Sequence, residues 1–141
     1  MKPKAAILLV RISDDKAGDA AGVGRQEEDG RALADRLGWN VAEVVVENDT
    51  SAYKRRKVRL PDGTTALRTV RPGFRTVLDK LSSGERDGLL AYDLDRIARD
   101  PRDLEDLIDV VESKTPRIPV EAVTGSLRLN SDGDVTMARV L

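Results

Sequence analysis

Short, continuous apolar runs alternate along this chain with amphipathic stretches, and that alternation predicts an α/β domain. Its core is expected to be a mainly parallel central sheet of about four to five strands, with helices on both faces in three layers. Three observations carry the expectation. The apolar runs are short, rich in β-branched residues and end at polar residues, as buried strands do. The stretches between them place apolar residues at helical spacing. Proline and glycine punctuate those stretches where helices start and stop. At 141 residues the chain has the length of one domain, residues 1–141, able to bury a core without disulfides or metal.

The first strand is Ala5 to Val10, which ends at Arg11. A polar, Gly-containing loop follows at 14–24. From about Gly22 to Leu37 charges line one side, Ala32, Leu33 and Leu37 the other, and Gly38 fits the residue that ends a helix. "WNVAEVVVEND" supplies the second strand through Val41, Val44, Val45 and Val46, with a polar stop at Asn48 and Asp49. Residues 53–70, "YKRRKVRLPDGTTALRTV", have no helical stripe and contain a Pro-Asp-Gly turn signal. They predict a long basic loop with room for a small hairpin around Pro61 to Gly63. Pro72 then stands at a first helical position, and Phe74, Val77, Leu78 and Leu81 repeat at i, i+3, i+4, i+7. "GLLAYDLD" is a short buried strand. Asp100-Pro101 opens another helix, with Leu104, Leu107, Ile108 and Val111 in the same stripe, ending near Lys114. "RIPVEAV" is a further strand, in which Pro119 favours an edge or an irregularity. Val135 to Leu141 begin a last helix.

Composition narrows the chemistry. Charged residues make up 35% of the chain, yet Lys and Arg (24) nearly balance Asp and Glu (25), so a basic site has to be local. There is no cysteine, which removes disulfides, thiolate catalysis and thiolate metal ligands. There is no histidine either, so a serine here has no imidazole to activate it and the commonest zinc ligand is missing. No run reaches the roughly 18 apolar residues of a membrane span, and the chain enters a strand directly from Met1 to Lys4, so a cytoplasmic, non-membrane protein is expected.

In parallel α/β sheets the loops after the carboxyl ends of the strands form the binding crevice. Arg11 and Ser13 follow the first strand, Asp49 and Ser51 the second, and Asp95, Arg96 and Arg99 of "LDRIARD" the third; Arg71 precedes the helix after the basic loop. Taken singly, each has an ordinary use as a loop serine, a solvated helix face or a turn. Together they place four arginines and two acids where they can converge on Ser13, an anion site by composition. Guanidinium groups match phosphate oxygens and can carry the charge of a phosphoryl transition state without a metal. A serine among them has its alkoxide favoured, which suggests nucleophilic attack on a phosphodiester. Lys54, Arg55, Arg56, Lys57 and Arg59 add a basic stretch suited to DNA, because so long an insertion in a small domain usually has a function.

"VRIS" (Arg11, Ser13), "RQEEDGRAL" (Gln26), "ENDTSA" (Asp49, Ser51), "RPGF" (Arg71, Pro72) and "YDLDRIARD" (Asp95, Arg96, Arg99) stand in the order and approximate spacing of the serine recombinase catalytic domain. Across essentially its whole length the chain resembles that resolvase and invertase family, and most of all the large serine integrases of phages and mobile elements. The resemblance implies a resolvase-like fold and a site-specific recombinase acting on double-stranded attachment sites in the bacterial nucleoid. Ser13 would form a 5′-phosphoserine linkage to DNA. Arg11, Arg71, Arg96 and Arg99 would bind the phosphate, and Gln26 would help position the site. Asp95 would transfer a proton or orient the arginines, and Asp49 would position them. Neither metal nor cofactor is implied. The family works as dimers and tetramers assembled through a long C-terminal helix and recognises DNA through further domains. An end at Leu141 is therefore expected to mark a fragment truncated before or within that helix, monomeric and unable to recombine DNA alone. The 53–70 insertion is long for the family, so Arg71 is expected to need DNA to order it.

Two other readings compete. Asp93 and Asp95 of "YDLD" alternate in a strand as the magnesium ligands of a Toprim-like phosphotransferase or nuclease do, but no convincing glutamate follows the first strand. A noncatalytic phosphate-binding α/β module is the other, although "RISDD" is not a Gly-rich dinucleotide turn.

Overall fold

A computed structural model of the chain describes residues 2–12, 19–48, 55–59, 63–69, 72–97 and 100–140. Strand β1 (Ala6–Ile12) leads into helix α1 (Asp19–Leu37) and strand β2 (Val41–Asn48). Strands β3 (Arg55–Arg59) and β4 (Thr65–Thr69) come next, then α2 (Pro72–Ser83), β5 (Leu89–Asp93), a short α3 (Leu94–Ile97), α4 (Pro101–Glu112), β6 (Val120–Thr124) and α5 (Asp132–Val140). The main sheet has the order β2-β1-β5-β6 with every pairing parallel. It is the predicted α/β arrangement with four strands.

The period of two in β1 sorts the core. Ile7 and Leu9 join Phe74, Val77, Leu81, Leu107, Ile108 and Val135 beneath α2, α4 and α5. Leu8 and Val10 face the other way and pack with Leu90 against Ala34, Leu33 and Leu37 of α1. Because both faces are covered, Ala6 to Val10 are fully buried, and a continuous apolar run is the sequence such a strand requires. Each of its large side chains contributes about 1.5–3 kcal/mol on burial.

Two expectations are refined. The 53–70 segment contains an antiparallel hairpin, β3 with β4, in register from Arg55 opposite Thr69 to Arg59 opposite Thr65. Its arms lie in the sequence on either side of the Pro-Asp-Gly signal and are longer than a small hairpin around Pro61 to Gly63. The helix-face reading of Arg96 and Arg99 is met in part, since a short helix covers Leu94–Ile97 and Arg99 lies outside the described residues. Arg96 lies in α3, and α4 starts afresh at Asp100, whose carboxylate accepts the Arg102 N–H at 2.8 Å, with Pro101 as its first residue. Among the described residues no helix is long and apolar enough to cross a membrane.

Candidate active site

The carboxyl ends of β2, β1 and β5 stand side by side, and the chain fastens each of them differently. Along β1 the N–H groups alternate sides. That of Ala6 donates toward β2, to the Asn40 carbonyl at 2.9 Å, and that of Ile7 toward β5, to the Gly88 carbonyl at 2.9 Å. Pairing with β5 runs only from Ile7 to Leu9, so at Arg11 the β5 side of the strand has no further rung. Gln26 of α1 fills that place. Its Oε1 accepts the Arg11 N–H at 2.9 Å and its Nε2 donates to the Arg11 carbonyl at 2.7 Å. A primary amide is the one side chain that offers a donor and an acceptor in this geometry. Arg11, two residues before Ser13 in the sequence, is therefore held on the β5 side by Gln26 while it stays paired with β2 on the other.

At the end of β5, Asp95 is turned onto the loop that follows β6. Its Oδ1 accepts the Leu127 N–H at 2.8 Å, and its Oδ2 accepts the Ser126 N–H at 3.1 Å and the Ser126 hydroxyl at 3.3 Å. Burial pushes this carboxyl up, but the hydrogen bonds from Ser126 and Leu127, with the nearby Arg128 charge, outweigh it and hold the group below its ordinary value. Gly125 makes the approach possible. It has φ +92, and a Cβ there would lie 2.8 Å from Asp95 Oδ1 and 3.1 Å from Asp93 Oδ1. The family resemblance implied proton transfer or the orienting of arginines for Asp95; in this structure its carboxylate holds the Ser126 and Leu127 groups of the loop after β6.

At the end of β2, Glu47 is buried and its Oε2 accepts the Phe74 N–H of α2 at 2.6 Å. Glu47, Gly125 and Ser126 are the residues that sequence reasoning missed at this edge. The glycine-serine pair directly after a strand was the available signal for the last two.

Of the predicted site residues, Arg11 and Gln26 are brought together, Asp95 stands at the neighbouring strand end, and Arg96 follows it in α3. Ser13, Asp49, Lys54, Arg71 and Arg99 lie outside the described residues, and Arg55, Arg56, Lys57 and Arg59 form β3. Among the described residues no group of three or more Asp and Glu is arranged to hold a metal ion. A cavity of about 490 Å³ lies at the opposite, amino edge of the sheet, lined by Pro3, Leu81, Lys114 and Ile118 among others. It is remote from the strand ends where the chemistry-bearing residues collect.

Fold and site edge together define a doubly covered parallel α/β domain whose polar residues gather at the carboxyl ends of its strands. The family model for the resolvase N-terminal domain matches residues 6–139, and the chain belongs to that family. Two solved structures share the fold. The N-terminal catalytic domain of TP901-1 integrase aligns with a TM-score of 0.64 at 17% identity, over 97% of this chain and 90% of that one. The C-terminal catalytic domain of ISC1926 TnpA, an IS607-like serine recombinase, aligns with a TM-score of 0.58 at 16% identity, over 94% of this chain and 76% of that one. No curated protein sequence matches the chain.

Proposed function

We propose that this chain is the catalytic domain of a site-specific DNA recombinase of the serine type. The observation that carries the reading is the match to the resolvase N-terminal domain across residues 6–139, in a chain whose central strand carries Arg11 and is followed in the sequence by Ser13. Ser13 Oγ attacks the scissile phosphorus and forms a 5′-phosphoserine ester as the bond to the 3′ oxygen breaks. The Oγ proton is released and the 3′ oxygen takes up a proton. Reversal on a new partner strand rejoins the DNA, and the exchange of one phosphoester for another requires no outside energy source. Arg11, Arg71, Arg96 and Arg99 bind the phosphate and stabilise the charge of its transition state. Asp49 orients the arginines. Gln26 acts by fixing the strand that carries Arg11, and Asp95 by holding the loop packed beside α3. The cationic residues from Lys54 to Arg59 contact the DNA backbone, and the full-length protein assembles as a dimer and a synaptic tetramer.

The test is covalent capture. Full-length protein and its Ser13→Ala variant are incubated in EDTA with a nicked cognate site and resolved on a denaturing gel. Protein joined to a DNA 5′ end is expected with Ser13 and absent with S13A. Cleavage that survives S13A, or that appears only with magnesium, refutes the serine mechanism.

A further inference from the structure

We infer that Glu47 is a positioning residue that caps α2 from the neighbouring strand and thereby leaves position 71 to an arginine of the phosphate site. The inference rests on the recombinase reading above. Helix α2 begins at Pro72, so Phe74 is its third residue, and that is the N–H a capping side chain ordinarily satisfies. The residue that precedes Pro72 in the sequence is Arg71, and a guanidinium has no acceptor. Serine, threonine, aspartate or asparagine there would cap the helix locally. Here the acceptor comes from 27 residues away, as Glu47 Oε2 takes the Phe74 N–H at 2.6 Å with the glutamate only 3% exposed.

The backbone is shaped for this contact. A Cβ on Gly73 would overlap the Glu47 carboxylate and lie 3.1 Å from the Val46 carbonyl oxygen and 3.2 Å from Glu47 Cα. Only glycine lets the start of α2 come so close to the end of β2. The Glu47 to Phe74 bond therefore ties the end of β2 to the first turn of α2, and in the sequence Asp49 follows Glu47 by two residues and Arg71 directly precedes Pro72. A buried carboxylate is a costly way to cap a helix when a surface serine would serve. The arrangement has a purpose if position 71 must be an arginine, and it fixes the first turn of α2, which Arg71 directly precedes in the sequence.

The experiment is a double-mutant cycle in the full-length protein on a nicked cognate site. Single-turnover cleavage and DNA affinity are measured for E47A, E47Q, R71A, E47A/R71A and E47Q/R71A, with thermal unfolding of each. E47A is expected to slow cleavage by about 100-fold at unchanged DNA affinity. E47Q keeps an acceptor and is expected to recover to within about 5-fold of wild type. In the R71A background either change is expected to cost less than about 2-fold, because both residues act at one place. Equal losses in both backgrounds, or losses that follow the unfolded fraction, overturn the inference. If E47A does not fold, the cycle is read from E47Q. A Ser13→Ala control separates the two levels: an adduct formed by S13A refutes the recombinase reading itself, whereas an additive cycle with a silent S13A refutes only the role of Glu47.

Discussion

Gln26 at the end of β1 and Asp95 at the end of β5 do similar work with different chemistry. Gln26 meets one N–H and one carbonyl of Arg11, whereas Asp95 meets two successive N–H groups and a hydroxyl from Ser126 and Leu127. A strand rung offers a donor and an acceptor together, and a neutral amide matches both. A loop that turns its amides inward offers donors alone, and a carboxylate matches those best. The first latch is thus indifferent to pH and salt, while the second depends on its charge. The central strand that carries Arg11 has the insensitive one.

The largest effect is expected from Gly125→Val, which breaks the charged latch through the backbone. A β-branched residue at φ +92 is strained, and its Cβ would displace both Asp95 and Asp93. A loss of about 3 kcal/mol in urea unfolding is expected, and an unchanged midpoint would show that the loop adjusts freely. Gln26→Leu should follow at about 2 kcal/mol, since it strips partners from the Arg11 N–H and carbonyl at a half-buried position. That loss should be the same at pH 5 and pH 8. A loss that varied between the two would mean that an ionisable group shares the rung.

How much of this was legible depended on how local the cause is. The core strands, the helical stripes, Pro72, Asp100 with Pro101 and the stop at Gly38 all act within a turn or two of themselves, and the sequence displays them. The hairpin was half legible: the Pro-Asp-Gly signal marks a turn in the sequence, but Arg55 to Arg59 and Thr65 to Thr69 show no alternation of apolar and polar residues that would mark them as strands. The end of α5 nearest the sheet begins at Asp132, earlier than the apolar pattern showed, because Ser131 Oγ accepts the Asp134 N–H at 3.1 Å. The latches were not legible in their roles. Glu47 stands just before the polar stop at Asn48 and Asp49 with nothing to single it out, and Asp95 meets Ser126 31 residues further on, a distance at which sequence spacing carries no geometric information. The polar residues at the strand ends were found, but which backbone each one holds is decided by the fold.

Asp95→Asn sharpens the comparison with a smaller change. The amide keeps one acceptor and turns its Nδ2 donors toward the Ser126 or Leu127 N–H, so about 1 kcal/mol is expected to be lost near neutral pH. The pH dependence follows from the lowered carboxyl. A group held below its unfolded value adds stability that is fully present above that value, about 3.9 for aspartate, and is lost as pH falls through the lower folded value. Wild type should therefore converge on D95N below about pH 4, while the two differ by a constant amount from pH 6 to pH 8. Parallel curves down to pH 2 would mean that the Asp95 charge contributes nothing and its shape everything.

The smallest effect is expected at a pair that resembles the Asp95 latch in charge but not in what it holds. Arg139 of α5 forks onto Glu105 of α4 at 2.8 to 3.2 Å, and these hydrogen bonds, with the Arg139 charge, outweigh burial and lower the Glu105 carboxyl. Both side chains are about half exposed, and among the described residues their hydrogen bonds are to each other and not to backbone groups. Solvent replaces what each loses, and salt screens what remains. Arg139→Ala should leave the unfolding midpoint unchanged at physiological ionic strength. A measurable drop there would show that charge by itself stabilises this domain, and the contrast between the Gln26 and Asp95 latches would then have to be drawn in terms of charge and not of the backbone groups they satisfy.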